Sequence, residues 1–154
     1  MAAANFDDCC AQLCATLDLE PPPLLADENG ERAFTITYRK TDFSFIERKR
    51  RGHDSMSMLV KFGVPPQDKA FEVLAGLLAA NYRMMDEGGA AFNLIAETGE
   101  IHLHRLIPLA RLHVPGLVPV MDEFAAQVAR WPDEFFCASD ADMPADGFGI
   151  ANLA

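Results

Sequence analysis

A chain of 154 residues, half of them hydrophobic and carrying a net charge of −10, is the size of one domain and long enough to bury about 68–70% of its extended surface. Its acidity, with a pI near 4.7, argues against nucleic acid and anionic membranes as partners, since both are recognised through Lys and Arg. No apolar run approaches the roughly 18 residues of a membrane-crossing helix, and the opening MAAANFDD is acidic where a secretory signal is basic.

The first predicted element is a helix over 5–17. Asn5 is its N-cap, Asp7 and Asp8 suit the positive helix end, and Phe6, Cys10, Leu13 and Leu17 form one apolar stripe. Pro21, Pro22 and Pro23 end it. Three strands follow. Asn29-Gly30 marks a tight turn before Phe34, Ile36 and Tyr38 alternate with Ala33, Thr35 and Thr37. Phe43 and Phe45 mark the second strand, Gly52 the next turn, and Met56, Met58, Val60 and Phe62 one face of the third. Short connections predict an antiparallel meander.

A second helix is predicted over 67–85, with Asp68 in its first turn. Phe71, Leu74, Leu78 and Tyr82 form a stripe that Val73, Leu77, Met84 and Met85 widen past one core-facing side. Such a helix is buried on two sides, one against the core and the other against a second copy, the alternative being a fully central helix in a monomer. Gly88-Gly89 cap its end. A hairpin follows, with Phe92 and Leu94 before a two-residue Thr98-Gly99 turn, Ile101 and Leu103 beyond it, and Pro108 ending the pairing. The last helix, over 116–131, carries Leu117, Met121, Phe124, Val128 and Trp131, with Pro132 breaking or kinking it and Phe135 and Phe136 extending the packing. Residues 1–138 read as one domain and 139–154 as a flexible C-terminal tail.

Chemistry is poorly represented. Cys9, Cys10, Cys14 and Cys137 show no zinc spacing and read as free thiols. His102 and His104 share a strand face but lack a third ligand, and His53 and His113 stand alone. The pairs Asp27-Glu28, Asp86-Glu87, Asp122-Glu123 and Asp133-Glu134 are sequence neighbours, which do not face each other as an acid–base couple must. Gly88-Gly89 is no phosphate loop. Residues 39–51 hold six basic residues against two acids, a patch for an anionic contact or a solvated strand pair. No catalytic, cofactor-binding or metal residue is assigned, and no cofactor is expected.

The order helix, three strands, helix, two strands, helix predicts an α+β fold, a twisted antiparallel sheet packed against helices. With the segments LCATLDLEPPPLLADENGERAFTI, VPPQDKAFEVLAGLLAANY and GGAAFNLIAETGEIHLHRLIPL and the helix through Trp131, the chain resembles the class I type III secretion chaperones of the Tir-chaperone type over residues 5–137. The resemblance implies a cytoplasmic homodimer in a Gram-negative bacterium. It implies a non-enzymatic protein that holds the N-terminal chaperone-binding segment of a secreted effector extended and secretion-competent without ATP, with the secretion ATPase or sorting platform as a further partner. Alternatives are a related-fold adaptor or regulatory binding protein of a secretion system, and a small ligand-binding protein or enzyme. Helix 1 and the first strands suggest an effector groove of Leu13, Leu17, Leu25, Phe34, Ile36, Phe43 and Phe45. Helix 2 and the hairpin suggest a dimer interface of Leu77, Leu78, Asn81, Met84, Phe92 and Leu94.

Overall fold

The computed structural model describes residues 5–50, 53–85 and 90–135. In chain order these form α1 (Phe6–Thr16), β1 (Leu25–Ala26), β2 (Arg32–Tyr38), β3 (Thr41–Arg50), β4 (His53–Gly63), α2 (Ala70–Met84), β5 (Ala90–Ile95), β6 (Glu100–Pro108) and α3 (Leu117–Glu134). The α+β order expected from the sequence holds, with one addition, the two-residue strand β1. The turn expected at Gly52, the Gly88-Gly89 cap, the pair Asp86-Glu87, Phe136, Cys137 and the 139–154 tail lie outside the described residues.

Asn5 caps α1 as expected. Its backbone is extended and its side chain accepts the Asp8 N–H at 2.9 Å. The six strands form one antiparallel sheet in the order β1-β2-β3-β4-β6-β5. The register lines up Phe34, Phe45, Met58, Arg105 and Ala90 in one row, and Ile36, Phe43, Val60, Leu103 and Phe92 in the next. All ten are buried, because side chains of period 2 put every second residue on the face that the helices cover. Phe6 of α1 meets Phe34 with centroids 5.3 Å apart, and Phe34 stacks on Phe45 at 4.8 Å. The opposite face mixes polar residues, among them Thr35, Asp42, Ser44, Arg48, Lys61, His102 and His104, with Ile46, Leu59 and Leu106.

Two local expectations are corrected. The β5–β6 connection is a four-residue turn rather than the two-residue Thr98-Gly99 turn. Ile95 pairs with Glu100, the Ile95 carbonyl accepts Gly99 N–H at 2.7 Å, and Gly99 alone takes the left-handed φ, at 72°. Pro132 does not break α3, which continues to Glu134 and closes at Phe135 in the left-handed region. Pro132 lies in the last turn, where its missing N–H removes one hydrogen bond at a frayed end. Trp131 packs edge-on against Phe62, 5.8 Å away, and its indole lies 3.4 Å from where a Cβ on Gly63 would stand. That is ordinary contact, so Gly63 is favoured by its backbone, at φ 128° beside the register shift in β4, a conformation that residues with a Cβ rarely adopt.

The β2–β3 hairpin turns on Arg39 and Lys40, both left-handed at φ 49° and 62°. A two-residue turn of this hand favours Asn-Gly, so neither residue signals it. Arg39 is held in place by Asp122 of α3 at 2.7 Å and by the face of Tyr38 at 5.6 Å. Lys40 has no such anchor among the described contacts. Lys40→Gly is therefore expected to raise stability by about 1 kcal/mol, the cost of a left-handed Cβ. Urea unfolding checks it, and an unchanged midpoint would contradict it.

Candidate peptide-binding and self-association surfaces

α2 divides its apolar residues between two sides. Val73, Leu77, Ala80 and Met84 face the core. Phe71, Leu78, Tyr82 and Met85 face outward and are 69–86% exposed. Leu74, Leu78 and Asn81 join Phe92, Asn93, Leu94 and Ile101 in lining a groove of about 240 Å³ where α2 meets β5. Exposed apolar area of this extent is unusual on a monomeric surface.

The second open surface is at the far end of the sheet. β1 pairs only with Arg32 and Ala33, so Phe34–Tyr38 have β3 on one side and no strand on the other among the described residues. The Glu31 carbonyl accepts Asp27 N–H at 2.9 Å, so it points away from β3. Alternation then turns the backbone groups of Thr35 and Thr37 to the same open side. Leu19, Glu20, Pro22, Thr35, Ile36 and Thr37 border a shallow groove of about 200 Å³ along that edge. Leu25, 69% exposed, is the first residue of β1 and pairs with Ala33, next along the same side of β2.

The residues expected in an effector groove divide accordingly. Leu13, Phe34, Ile36, Phe43 and Phe45 are buried in the chain's own core, Leu17 is half-buried and Leu25 is exposed. Ile36 belongs to both the core and the edge groove. Of those expected in a dimer interface, Leu77, Met84 and Phe92 are buried within the chain, Leu78 and Leu94 are exposed, and Asn81 is half-buried. The stripe of Phe71, Leu78 and Tyr82, widened by Met85, is legible from helical spacing, but only Leu78 of these is among the residues expected in the interface. The Leu19–Pro22 border of the β2 edge had no signal, because the segment lies outside any regular element.

Beneath the β2 edge, a charged cluster ties α1 to the sheet. Arg32 donates to both carboxylate oxygens of Glu47, at 2.8 and 3.0 Å, and to Asp7 at 2.6 Å. These hydrogen bonds hold the Glu47 carboxyl below its ordinary range and the Arg32 guanidinium above its own.

The polar groups form networks that consume them. Arg48 donates to Ser57 Oγ at 3.1 Å, and Ser57 lies 3.0 Å from His104 Nε2. Ser57 and His104 share one hydrogen bond, its direction set by the imidazole tautomer, and the His104 pKa is pushed down by burial and then by Arg48. His102 lies 3.6 Å from Glu100, itself paired with Lys61. Asp27 accepts the N–H groups of Asn29 and Glu31 at the turn. Asp122 takes the Tyr38 hydroxyl at 2.9 Å, and Glu134 pairs with Arg130. Cys9, Cys10 and Cys14 are buried free thiols, and burial pushes Cys9 and Cys10 up to about 12, leaving no thiolate for nucleophilic chemistry at neutral pH. Among the described residues no three metal-ligating side chains converge, and no helix is long and apolar enough to cross a membrane.

An antiparallel sheet with helices on one face thus leaves two surfaces that another polypeptide could meet, the β2 edge and the outer side of α2. The sequence profile of the Tir chaperone protein (CesT) family matches residues 8–132, and the chain belongs to that family. Its fold is similar to that of a chain in the solved structure of the HopA1-SchA chaperone-effector complex, with 18% identity, 81% of this chain and 91% of that chain covered, and a TM-score of 0.53. No curated protein sequence matches the chain.

Proposed function

We propose that this protein is a type III secretion chaperone. It binds the N-terminal segment of a secreted effector in extended form and keeps it soluble and secretion-competent in the bacterial cytoplasm without ATP. The observation that carries this reading is the unpaired β2 edge with its adjoining apolar groove, in a chain of a chaperone family. An extended peptide adds a strand at such an edge. Main-chain hydrogen bonds give it affinity, and every second side chain enters the groove. Thr35 and Thr37 offer the hydrogen bonds, and Leu19, Pro22 and Ile36 the apolar wall. Leu25 and Leu17 extend the contact, while Leu13, Phe34, Phe43 and Phe45 support it from the core.

The working unit is a homodimer joined through the outer side of α2 and the β5 face. Leu78 and Leu94 are its central apolar contacts, flanked by Phe71, Tyr82 and Met85. Leu77, Met84 and Phe92 stiffen the surface from beneath. The secretion ATPase or sorting platform receives the loaded complex.

Co-expression with candidate secreted proteins of the same genome, followed by affinity capture and light scattering, tests the reading. A complex of two chaperones to one effector that depends on the effector's N-terminal region is expected. Leu25→Asp should lower capture about tenfold, the worth of one lost apolar contact, with the circular dichroism spectrum unchanged because Leu25 is exposed. A clean dimer that captures no secreted protein would count against the effector-binding role.

A further inference from the structure

β5 is the edge strand at the other end of the sheet. Where a neighbouring strand would sit, the side-chain amide of Asn81 stands instead. Asn81 Oδ1 accepts the Phe92 N–H at 2.7 Å, and Asn81 Nδ2 donates to the Phe92 carbonyl at 3.0 Å. This is the two-bond exchange that one residue of an antiparallel strand makes with its partner. Phe92 lies in the middle of β5, between Ala90 and Ile95, so any added strand would need that pair as its central rung. Asn81 comes from α2, whose inward residues Leu77 and Met84 are 3% and 1% exposed, so the amide is held by a packed helix rather than by a mobile loop.

We propose that Asn81 is an edge guard: by occupying the hydrogen-bonding groups of Phe92 it closes β5 to strand addition and leaves β2 as the edge at which the sheet can take up a polypeptide strand. Exposed edges template pairing with any extended chain. A protein that receives extended peptides at one edge and presents an apolar helix beside the other is at particular risk of mispairing. An apolar residue at 81 would fill the groove as well but would leave the part-buried N–H and carbonyl of Phe92 without this partner. An amide satisfies both at once, because it carries one acceptor and a donor in a planar arrangement. The device does not depend on what binds β2, and it differs from the dimer contact proposed for Leu78, since Asn81 directs its amide inward to its own chain.

The test compares the full-length protein with Asn81→Ala and Asn81→Asp by amide hydrogen exchange and by sedimentation velocity across a range of concentrations. In the native protein the Phe92 amide is expected to exchange more slowly than those of Thr35 and Thr37 on the open edge. In Asn81→Ala it should exchange about tenfold faster, the effect of one lost hydrogen bond. The folded variant should also grow with concentration into assemblies larger than the native ones and bind thioflavin. Asn81→Asp keeps the acceptor for the Phe92 N–H and should hold that amide protected. Loss of stability alone would not produce growth from a folded state. An Asn81→Ala protein that is folded and of native size would overturn the proposal, and so would a folded monomer, which would make Asn81 a contact between copies. If Asn81→Ala does not fold, the native exchange decides: a Phe92 amide as fast as those of Thr35 and Thr37 overturns the guard, and a slower one supports it.

Discussion

Leu78→Glu is expected to yield a folded monomer. Leu78 is 69% exposed in the single chain, so a charge there meets water and costs the monomer little. In a symmetric dimer the same substitution acts twice, once from each copy. Each copy forfeits about 2 kcal/mol of apolar burial and would bury a carboxylate without a partner. Association should weaken at least about a thousandfold. Sedimentation equilibrium measures this directly, with circular dichroism as the check on folding. The neighbouring substitution Leu77→Glu should behave differently. Leu77 is 3% exposed against the core, so that variant should fail to fold. A Leu78→Glu protein that remains dimeric at native concentrations would remove α2 from the interface.

The second large effect concerns the Arg32–Glu47–Asp7 cluster. Glu47 has a side chain 9% exposed and lies on the face that otherwise carries Phe43 and Phe45. Removing its guanidinium leaves a nearly buried carboxylate with the backbone of residue 32 and Lys49, 3.7 Å away, in place of a bidentate cation. Arg32→Ala should therefore cost about 3 kcal/mol, or roughly 6–12 °C in melting temperature for a chain of this length. The effect depends on pH in a defined direction. The Glu47 carboxyl is held below its unfolded value of 4.5, first by its hydrogen bonds from Arg32. Its contribution to stability is thus present above that value and is lost as pH falls through the lower folded value. In Arg32→Ala, burial without the cation favours the protonated acid, so the gap between variant and native protein should narrow on acidification. Urea unfolding at pH 7 and pH 4 checks this, and an equal gap at both pH values would refute the assignment.

Much of the fold was legible because its elements carry strong periodicity. The alternation of Phe34, Ile36, Phe43, Phe45, Met56, Met58, Val60 and Phe62 places one sheet face in the core, and those side chains are buried. The stripe on α3 from Leu117 to Trp131 was equally readable. The α2 helix announced two apolar sides, and two sides are present. Its division between them was not legible, since Leu77 and Leu78 are adjacent, equally apolar and only about 100° apart around the helix. Which of the two turns inward depends on where β5 lies. The expectation for the effector groove met the same difficulty. Phe34, Phe43 and Phe45 are buried in the chain's own core, and apolarity alone does not distinguish a core from a docking surface.

The turns show the opposite failure. Arg39-Lys40 lacks every residue that favours its left-handed conformation, and Asp122, 83 residues away from Arg39 in sequence, secures it. Asn81 sits in an ordinary helical sequence, and its function exists only because α2 lies along β5 and brings the amide to Phe92. Composition, hydrophobic period and caps by themselves determined the α+β class, the order of elements and the absence of an evident catalytic motif, because these depend on residues near one another in the chain. The open β2 edge, the closed β5 edge, the exposed side of α2 and the Arg32–Glu47–Asp7 tie were decided by the tertiary structure alone, because each depends on which distant segments cover which faces.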